Sequence, residues 1–419
     1  MRHILFKTWT TVLLLGSIFS SCSKDDNICQ NLTPRERVSI ELTEPTRAVA
    51  SDLTGFYGKF TADIVNYATT HPKAAEEGNV VASPISMAML LAMVANGVAE
   101  EQRQAFTEYL GTEDLNSLNS LCKVLLEQLP KTDNLAKLQL ANSVWVDSGA
   151  NKRLREDYAS IISNYYDAPV LYETFDDQKT VDRINGWCKG KTNGLIPNFL
   201  QKSPEGVALL INALYFHALW EENIFDLTNT ARAEFYGDNC QRMVDMMQSA
   251  AYRGLYANDG EFELFTIPFG NSALQMEIIV PTSTVTDEGN ALSVPDIETL
   301  SASATTHEIV ATVPKFTVNG KYDISRMFEA VGKYGLVKTD VSMFDDGLQE
   351  VMIQYAHATK FTIDETGAEA ASVSDDEIRN SALIDDEAPV YIKVDHPFWF
   401  FVREFSTGAC ILSGRIANL

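Results

Sequence analysis

The main body of the chain opens with an amphipathic helical pattern. In the stretch FYGKFTADIVNYA, the apolar residues Phe56, Phe60, Ile64 and Tyr67 recur at intervals of three or four positions. This spacing places the four side chains on one face of an α-helix. The pattern therefore predicts a helix that packs one face against a core, within a densely patterned region that starts near Leu53.

The stretch SPISMAMLLAMVANG predicts a second helix of a different kind. Its residues are apolar nearly all round, which is typical of a helix that is buried on every side. Ser83 is suited to the N-cap position, and Pro84 is suited to the first helical position, where its missing N–H costs nothing.

Strand patterns dominate the second half of the chain. The runs VALLINALYFHALW and MEIIVP predict buried strands, and HEIVATVPKFTV alternates like a half-buried one. The stretch KYDISRMFEAVGKYGL predicts a helix that ends near Gly335. Since helical segments dominate the first half and strands the second, the fold class is predicted to be α+β, with large antiparallel or mixed sheets.

The first 21 residues read as a targeting segment. Arg2 and Lys7 precede the apolar core TVLLLGSIF, which is too short to span a bilayer as a permanent helix. The segment resembles a bacterial lipoprotein signal peptide (residues 1–21), with cleavage before Cys22 and a lipid on that cysteine. The alternative is an ordinary secretory signal in which Cys22 has no role.

Residues 22–50 are polar and lack sustained periodicity, so they predict a tether between the lipid and the domain. The SKDD that follows Cys22 is similar to signals that send lipoproteins of diderm bacteria to the outer face of the outer membrane. We therefore expect an exported protein that is anchored to the outer membrane through its N-terminal lipid and faces the cell exterior.

Composition excludes one class of partner and one class of scaffold. A net charge of −24 on 419 residues repels phosphate backbones, so nucleic acid is not expected as a partner. Six cysteines are present, and lipidation of Cys22 would leave an odd number at wide spacings. This pattern predicts isolated buried thiols and no disulfide framework or metal site.

The sequence contains no complete motif of the common catalytic or metal-binding sites. NGWCKGKT at 185–192 ends like a phosphate-binding loop, but Asn185 stands where the first glycine should be, so a polar helix-to-loop connection is predicted instead. The six histidines show no metal-ligand spacing, and no GxSxG nucleophile motif occurs. The sequence therefore indicates a protein without enzymatic activity, cofactor or metal.

The stretch ETGAEAASVS, residues 365–374, contains almost no bulky side chain. As a helix it would lack an apolar stripe, and as a loop it lacks the usual proline and asparagine. A third interpretation is a segment that is exposed at first and later enters a crowded space, which requires small side chains.

From Leu53 to Leu419 the chain resembles the serpin family. The resemblance rests on several motifs in order: NVVASPISMAMLLAMVANG, LLINALYFHALW, MVDMM, VPKF and HPFWFFVREFSTGACILSGRIANL. It implies a serpin domain over residues 51–419, with a large central mixed β-sheet, two further sheets and about nine helices. It also implies an exposed reactive-centre loop over about 365–390.

The small-residue stretch resembles the serpin hinge. The hinge residues are Glu365, Gly367, Ala368, Glu369, Ala370, Ala371 and Ser372. In the family mechanism, a protease cuts the loop, stays attached as an acyl-enzyme and is distorted while the cut loop inserts into the central sheet. Strand alternation directs Ala368, Ala370, Ser372 and Ser374 inward, and Asp376 continues this set at a cost in burial.

The resemblance also implies a position for the cut. Counting the family's spacing of about seventeen residues from Glu365 places the scissile bond at Ser381–Ala382. The loop is about five residues longer than is usual, so Leu383–Ile384 is an alternative. Arg379 offers a trypsin-like site. Small or aliphatic residues at the cut favour elastase-like or subtilisin-like serine proteases, which a monomeric inhibitor would hold in a covalent complex.

Five further positions carry over to the region where the family's central sheet opens: Ser83, Ser86, Asn212, Trp220 and His357. The plain alternative for His357 is a core histidine with satisfied hydrogen bonds. Two other functions stay open, a non-inhibitory binding protein with this fold and, with less support, a hydrolase that uses a cleft of the fold. The small inward hinge residues favour the inhibitor over both.

Overall fold

The computed structural model describes residues 34–175, 178–204, 206–282, 296–347, 349–352, 355–368 and 388–419. Its α-helices are α1 (Glu44–Thr70), α2 (Pro84–Ala95), α3 (Glu100–Leu110), α4 (Leu115–Gln128), α5 (Glu156–Tyr166), α6 (Gln178–Lys191), α7 (Ile297–Ser303) and α8 (Ile324–Ala330). Over these described ranges there are eight α-helices, against the roughly nine that the serpin resemblance implies.

The strands in the first half are β1 (Val80–Ala82), β2 (Ala136–Asp147), β3 (Val170–Glu173), β4 (Ala208–Leu219), β5 (Phe225–Tyr236), β6 (Gln241–Ser249), β7 (Tyr252–Asn258), β8 (Phe262–Pro268) and β9 (Leu274–Pro281). The later strands are β10 (Thr305–Pro314), β11 (Phe316–Asp323), β12 (Lys338–Val341), β13 (Gln349–Met352), β14 (Ala356–Asp364), β15 (Gly367–Ala368), β16 (Val390–Lys393), β17 (Phe398–Glu404) and β18 (Cys410–Ile416).

Helix α1 has the predicted apolar face but begins earlier than predicted. Phe56, Phe60 and Ile64 are buried, as the spacing indicates. The helix starts at Glu44 with Thr43 as N-cap, and the backbone N–H of Ile40 already donates a 2.8 Å hydrogen bond to the body. The tether predicted for residues 22–50 is therefore too long at its C-terminal end, because its polar composition concealed the first turns of α1.

Helix α2 confirms the prediction of a helix buried on all sides. All twelve of its residues are buried, Pro84 occupies the first turn, and the Ser83 side chain accepts a hydrogen bond from the backbone N–H of Ser86. The helix contacts both β4 and β18, so it lies in the core between two sheets.

Two local predictions in the second half are wrong. The run HEIVATVPKFTV is two strands, β10 and β11, which separate at Lys315 and join different sheets. The helix predicted over 321–336 is shorter, because residues 321–323 continue the period-two pattern of β11 and the Asp323 side chain caps α8. Gly332, with φ +75°, then separates α8 from a 3₁₀ turn at Tyr334–Leu336.

The described strands form three sheets, which confirms the α+β class with a mixed sheet. A six-stranded sheet has the order β11-β14-β15-β4-β2-β3, with β2 and β3 parallel. A ten-stranded antiparallel-rich sheet has the order β1-β18-β17-β9-β8-β7-β10-β6-β5, with β16 beside β10. Strands β12 and β13 form a small third sheet. No helix of the described part is long and apolar enough to cross a membrane.

The two sides of β4 in the six-stranded sheet differ. Towards β2, the pairing runs without interruption from Ala136–Ala218 to Val146–Ala208. Towards β14, the described residues show one direct parallel bridge, Leu210–Tyr355, and the short strand β15 lies between the two strands at the other end. We refer to the line between β4 and β14 as the seam.

Candidate functional site

The upper end of the seam holds the first residues of the predicted hinge. After β14 the chain turns at Glu365 and Thr366, where the Asp364 carboxylate accepts hydrogen bonds from the Thr366 N–H (2.8 Å) and hydroxyl (2.7 Å). It then returns as β15, which pairs antiparallel with β14 on one side and with β4 on the other. The hinge therefore already starts a new strand within the seam.

Both residues of β15 are small because the space requires it. Gly367 has a φ of +147°, and an added Cβ would lie 2.0 Å from the carbonyl oxygen of Ala218. Ala368 pairs with Ile363 and Ala218 and is 1% exposed. A side chain at Gly367 would displace the backbone of Ala218, and a larger side chain at Ala368 would have to fit into a fully buried position.

Trp220 fixes the turn that leads into β15. Its ring stacks on Phe269 with centroids 4.4 Å apart, and it is buried. The indole N–H donates to the carbonyl oxygen of Asp364 at 2.7 Å, and the Trp220 backbone N–H donates to Thr366 at 3.1 Å. Trp220 thus lies at the entrance of the seam.

Glu365 is held by an ion pair at the same entrance. Its carboxylate accepts hydrogen bonds from Lys315 Nζ at 2.7 Å and from the Thr230 hydroxyl at 2.6 Å, and its side chain is 9% exposed. Burial alone would raise the pKa of this carboxyl, but the hydrogen bonds from Lys315 and Thr230 outweigh it and hold the pKa below its ordinary value. Glu365 is therefore a fixed anion at the turn between β14 and β15.

Further along the seam, His357 contacts the cap of α2. Its Nε2 accepts a 2.9 Å hydrogen bond from the backbone N–H of Ser83 and lies 2.7 Å from the Thr359 hydroxyl. Since a backbone N–H can only donate, the proton of the neutral ring is on Nδ1. Burial lowers the pKa of His357 to about 4. The Ser83 hydroxyl donates to Ser86 at 2.8 Å and completes this group.

Asn212 lies on the opposite strand of the seam. Its Nδ2 donates to Asn142 of β2 at 2.8 Å, and Asn142 in turn donates to the Tyr166 carbonyl oxygen at 2.9 Å. The register of the Leu210–Tyr355 bridge, extended by two residues on each strand, sets Asn212 opposite His357.

Two buried polar atoms on opposite sides of the seam have no hydrogen-bond partner among the residues that the structure describes: Asn212 Oδ1 and His357 Nδ1. One is an acceptor, and the other carries the ring proton, so the two atoms are complementary. Buried polar groups are normally paired, so these two facing atoms mark a place in the seam where hydrogen bonding is incomplete.

The structure brings together most of the predicted positions that it describes. Glu365, Gly367, Ala368 and Trp220 lie at the entrance, and Ser83, Ser86, His357 and Asn212 flank the seam further along. The other predicted positions lie outside the described residues: Cys22, Glu369, Ala370, Ala371, Ser372, Arg379, Ser381, Ala382, Leu383 and Ile384.

Sequence reasoning missed Lys315, Thr230, Asn142 and Thr359. Lys315 belongs to the VPKF motif, where a single charge between two apolar strands could have indicated a buried ion pair. No local pattern identifies its partner, because Glu365 lies fifty positions later in the chain. The part of the chain that the structure describes contains no group of three or more His, Cys, Asp or Glu residues that is arranged to hold a metal ion.

Comparisons with known proteins agree with this architecture. The family model for Serpin (serine protease inhibitor) matches residues 58–419. An uncharacterised serpin-like protein of Thermococcus kodakarensis is 27% identical over 355 residues, which are 82% of each chain. Corticosteroid-binding globulin of Saimiri sciureus is 26% identical over 352 residues, 81% of this chain and 84% of its own.

Solved structures show the same fold. The native state of the thermophilic serpin tengpin aligns with a TM-score of 0.72 at 23% identity, over 94% of this chain and 99% of its own. Human thyroxine-binding globulin aligns with a TM-score of 0.72 at 19% identity, over 89% of this chain and 99% of its own.

Proposed function

The chain belongs to the serpin family, and from this premise we propose that it inhibits serine proteases as a suicide substrate. The observation that carries the proposal is the position of β15. Gly367 and Ala368 already occupy the top of the seam, and below them β4 and β14 are joined directly at Leu210–Tyr355. The hinge thus forms the first part of a strand that the following residues could extend between β4 and β14.

The covalent chemistry belongs to the target protease. Its serine Oγ attacks the carbonyl carbon of Ser381, the peptide bond to Ala382 breaks, and the new amine leaves with the C-terminal part of the loop. The protease then remains attached to Ser381 as an acyl ester until water releases it. For stable inhibition, the loop must insert faster than water hydrolyses this acyl ester.

Small hinge residues support insertion along the seam. If the strand continued beyond Ala368 on insertion, alternation would direct Ala370, Ser372 and Ser374 to the face on which Ala368 is buried. About fourteen inserted residues at about 3.3 Å each would carry the protease roughly 45 Å. About a dozen residues that gain hydrogen bonds worth about 1 kcal/mol each would supply on the order of 10 kcal/mol, comparable with the stability of a protease domain.

A second candidate function is ligand binding without inhibition. The long acidic loop and the inward position of Asp376 disfavour complete insertion, and relatives with this fold include corticosteroid-binding and thyroxine-binding globulins. The small residues at the first inward positions favour inhibition. The two functions differ in whether the distal part of the loop, near Asp376, inserts completely.

One experiment separates these functions. The protein is incubated with an elastase-like or subtilisin-like protease and run on a denaturing gel, where an inhibitor gives a complex that survives denaturant. Mass spectrometry of the released C-terminal peptide then locates the cut. A peptide that begins at Ala382 supports Ser381–Ala382, one that begins at Ile384 supports the alternative bond, and cleavage without any complex supports the binding protein.

We further propose that the protein acts as a monomer on the outer membrane of a diderm bacterium, exported by residues 1–21 and held by a lipid on Cys22. Replacement of Cys22 by alanine should move the protein from the detergent phase to the aqueous phase in Triton X-114 partitioning, because the lipid is the proposed anchor. A Cys29→Ala variant is the matched control. If the Cys22→Ala protein stays with the membrane, the anchor assignment is wrong.

A further inference from the structure

A separate layer covers the outer face of the six-stranded sheet across the seam. It consists of α6 and residues 192–200, and we call it the cover. The Thr192 hydroxyl donates to the Cys188 carbonyl oxygen at 2.8 Å and accepts from the Ile196 N–H at 3.0 Å. Asn185 exchanges two hydrogen bonds with the backbone of Leu200, at 2.7 and 2.9 Å. Helix and loop therefore form one rigid unit.

The cover is fixed mainly to the β2–β4 side of the seam. It packs in an apolar cluster apart from the main core: Trp145, Phe175, Ile184, Cys188, Ile196, Phe199, Leu209, Ile211 and Ala358. Three of these, Trp145, Leu209 and Ile211, belong to β2 and β4. The Asn193 side chain also donates to the Tyr215 hydroxyl of β4 at 3.4 Å.

On the β11–β14 side, the described contacts of the cover are slight. Ala358 of β14 contributes a single methyl group to the apolar cluster. Lys321 of β11, the register partner of Ala358, extends over β14 and donates from Nζ to the carbonyl oxygen of Asn198 at 3.2 Å. This hydrogen bond joins the two sides of the seam over the top of the sheet.

Insertion of a strand would change these two contacts differently. Adjacent strands lie about 4.8 Å apart, so one inserted strand moves β11 and β14 away from β4 by about that distance. The cover would stay with β2 and β4, to which most of its contacts run. The methyl group of Ala358 can slide under the cover, whereas a 3.2 Å hydrogen bond cannot survive such a displacement.

We propose that Lys321 is a positioning residue for inhibition: its hydrogen bond to Asn198 latches the cover across the closed seam and must break before the loop inserts. The inference rests on the proposed function. The bond lies at the surface, so its loss should speed insertion by about two- to fivefold, as expected for a hydrogen bond of modest net strength. Lysine suits the role because its long, flexible side chain can reach from β11 across β14 to the cover.

The test compares Lys321→Met with Lys360→Met. Lys360 is exposed on the same face of the neighbouring strand β14, so its replacement removes an equal charge and leaves the latch in place. Stopped-flow tryptophan fluorescence, which includes Trp220 at the seam entrance, follows insertion after cleavage by excess elastase. We expect insertion about two- to fivefold faster in Lys321→Met, unchanged in Lys360→Met, and near the wild-type rate in Lys321→Arg.

The outcomes separate this inference from the function on which it rests. If the wild-type protein is cleaved but never inserts its loop, the proposed function fails. If the wild-type loop inserts and Lys321→Met inserts no faster than Lys360→Met, the latch is absent and the inference is overturned. An equal acceleration in both methionine variants would indicate a general charge effect and would also overturn it.

Discussion

Strand β4 has two neighbours in one sheet, and the two pairings differ in kind. With β2 it pairs along its full length, and the Asn142–Asn212 side-chain bond crosses that pairing. With β14 the described part of the chain shows the direct bridge Leu210–Tyr355, and within that part the facing atoms Asn212 Oδ1 and His357 Nδ1 are unpaired. Over the described residues, the same strand thus has one fully paired edge and one incompletely paired edge, and the incomplete edge is where the proposed insertion would occur.

The difference is chemical as well as geometric. Complete backbone pairing satisfies every donor and acceptor, so separating β2 from β4 would expose a full ladder of hydrogen bonds. Between β4 and β14, the described residues show fewer direct backbone pairings to break, and in the proposed mechanism an inserted strand would supply new hydrogen bonds on both sides. A sheet with one weak edge can be both folded and able to expand.

The largest effect should come from blocking insertion of the loop into the seam. We expect Ala370→Arg to reduce stable protease complexes by about tenfold or more while loop cleavage continues, because an unpaired guanidinium facing the core cannot enter the seam. The matched control is Ala371→Arg, whose side chain alternation directs outward. Complexes are counted on denaturing gels, and undiminished complex formation by Ala370→Arg would refute insertion.

A smaller effect, on the free energy of unfolding, should follow from the ionisation of His357 beside the seam. Its pKa is lowered from 6.5 to about 4 in the folded protein, so between these pH values the unfolded chain takes up a proton that the folded chain does not. The free energy of unfolding should therefore fall as the pH drops from 6.5 towards 4, by about 3 kcal/mol in total.

This pH dependence is measured by urea unfolding of the wild type and of His357→Gln, which cannot titrate. The difference between the two proteins removes the contribution of carboxylates that titrate nearby. The difference should shrink as the pH falls through this window. A difference that is constant between pH 6.5 and 4 would show that His357 is not buried in its neutral form.

The smallest effect should come from the entrance. Lys315→Glu places a like charge beside Glu365 and should lower the free energy of unfolding by about 1–2 kcal/mol, a value reduced because the Lys315 side chain is 32% exposed. Lys315→Met, which removes the ion pair without repulsion, should cost less. If both variants match the wild type in urea midpoint, the ion pair does not hold the entrance closed.

Much of the local structure could be predicted from the sequence. The stripe of α1, the cap of α2 and the buried strand β4 follow from spacing within a few residues, which depends on local geometry. The errors arose where two signals competed. Residues 321–323 suit either the start of a helix or the end of a strand. They form the end of β11, because they pair with β14.

The sequence by itself determined the apolar face of α1, the burial of α2, the small residues of the hinge and the serpin motifs, because each depends on neighbouring positions. Only the tertiary structure decided that β15 lies between β4 and β14, that Lys315 pairs with Glu365, and that Lys321 reaches Asn198. The last two contacts join residues that are 50 and 123 positions apart. Their partners are selected by sheet order and burial, which no local pattern encodes.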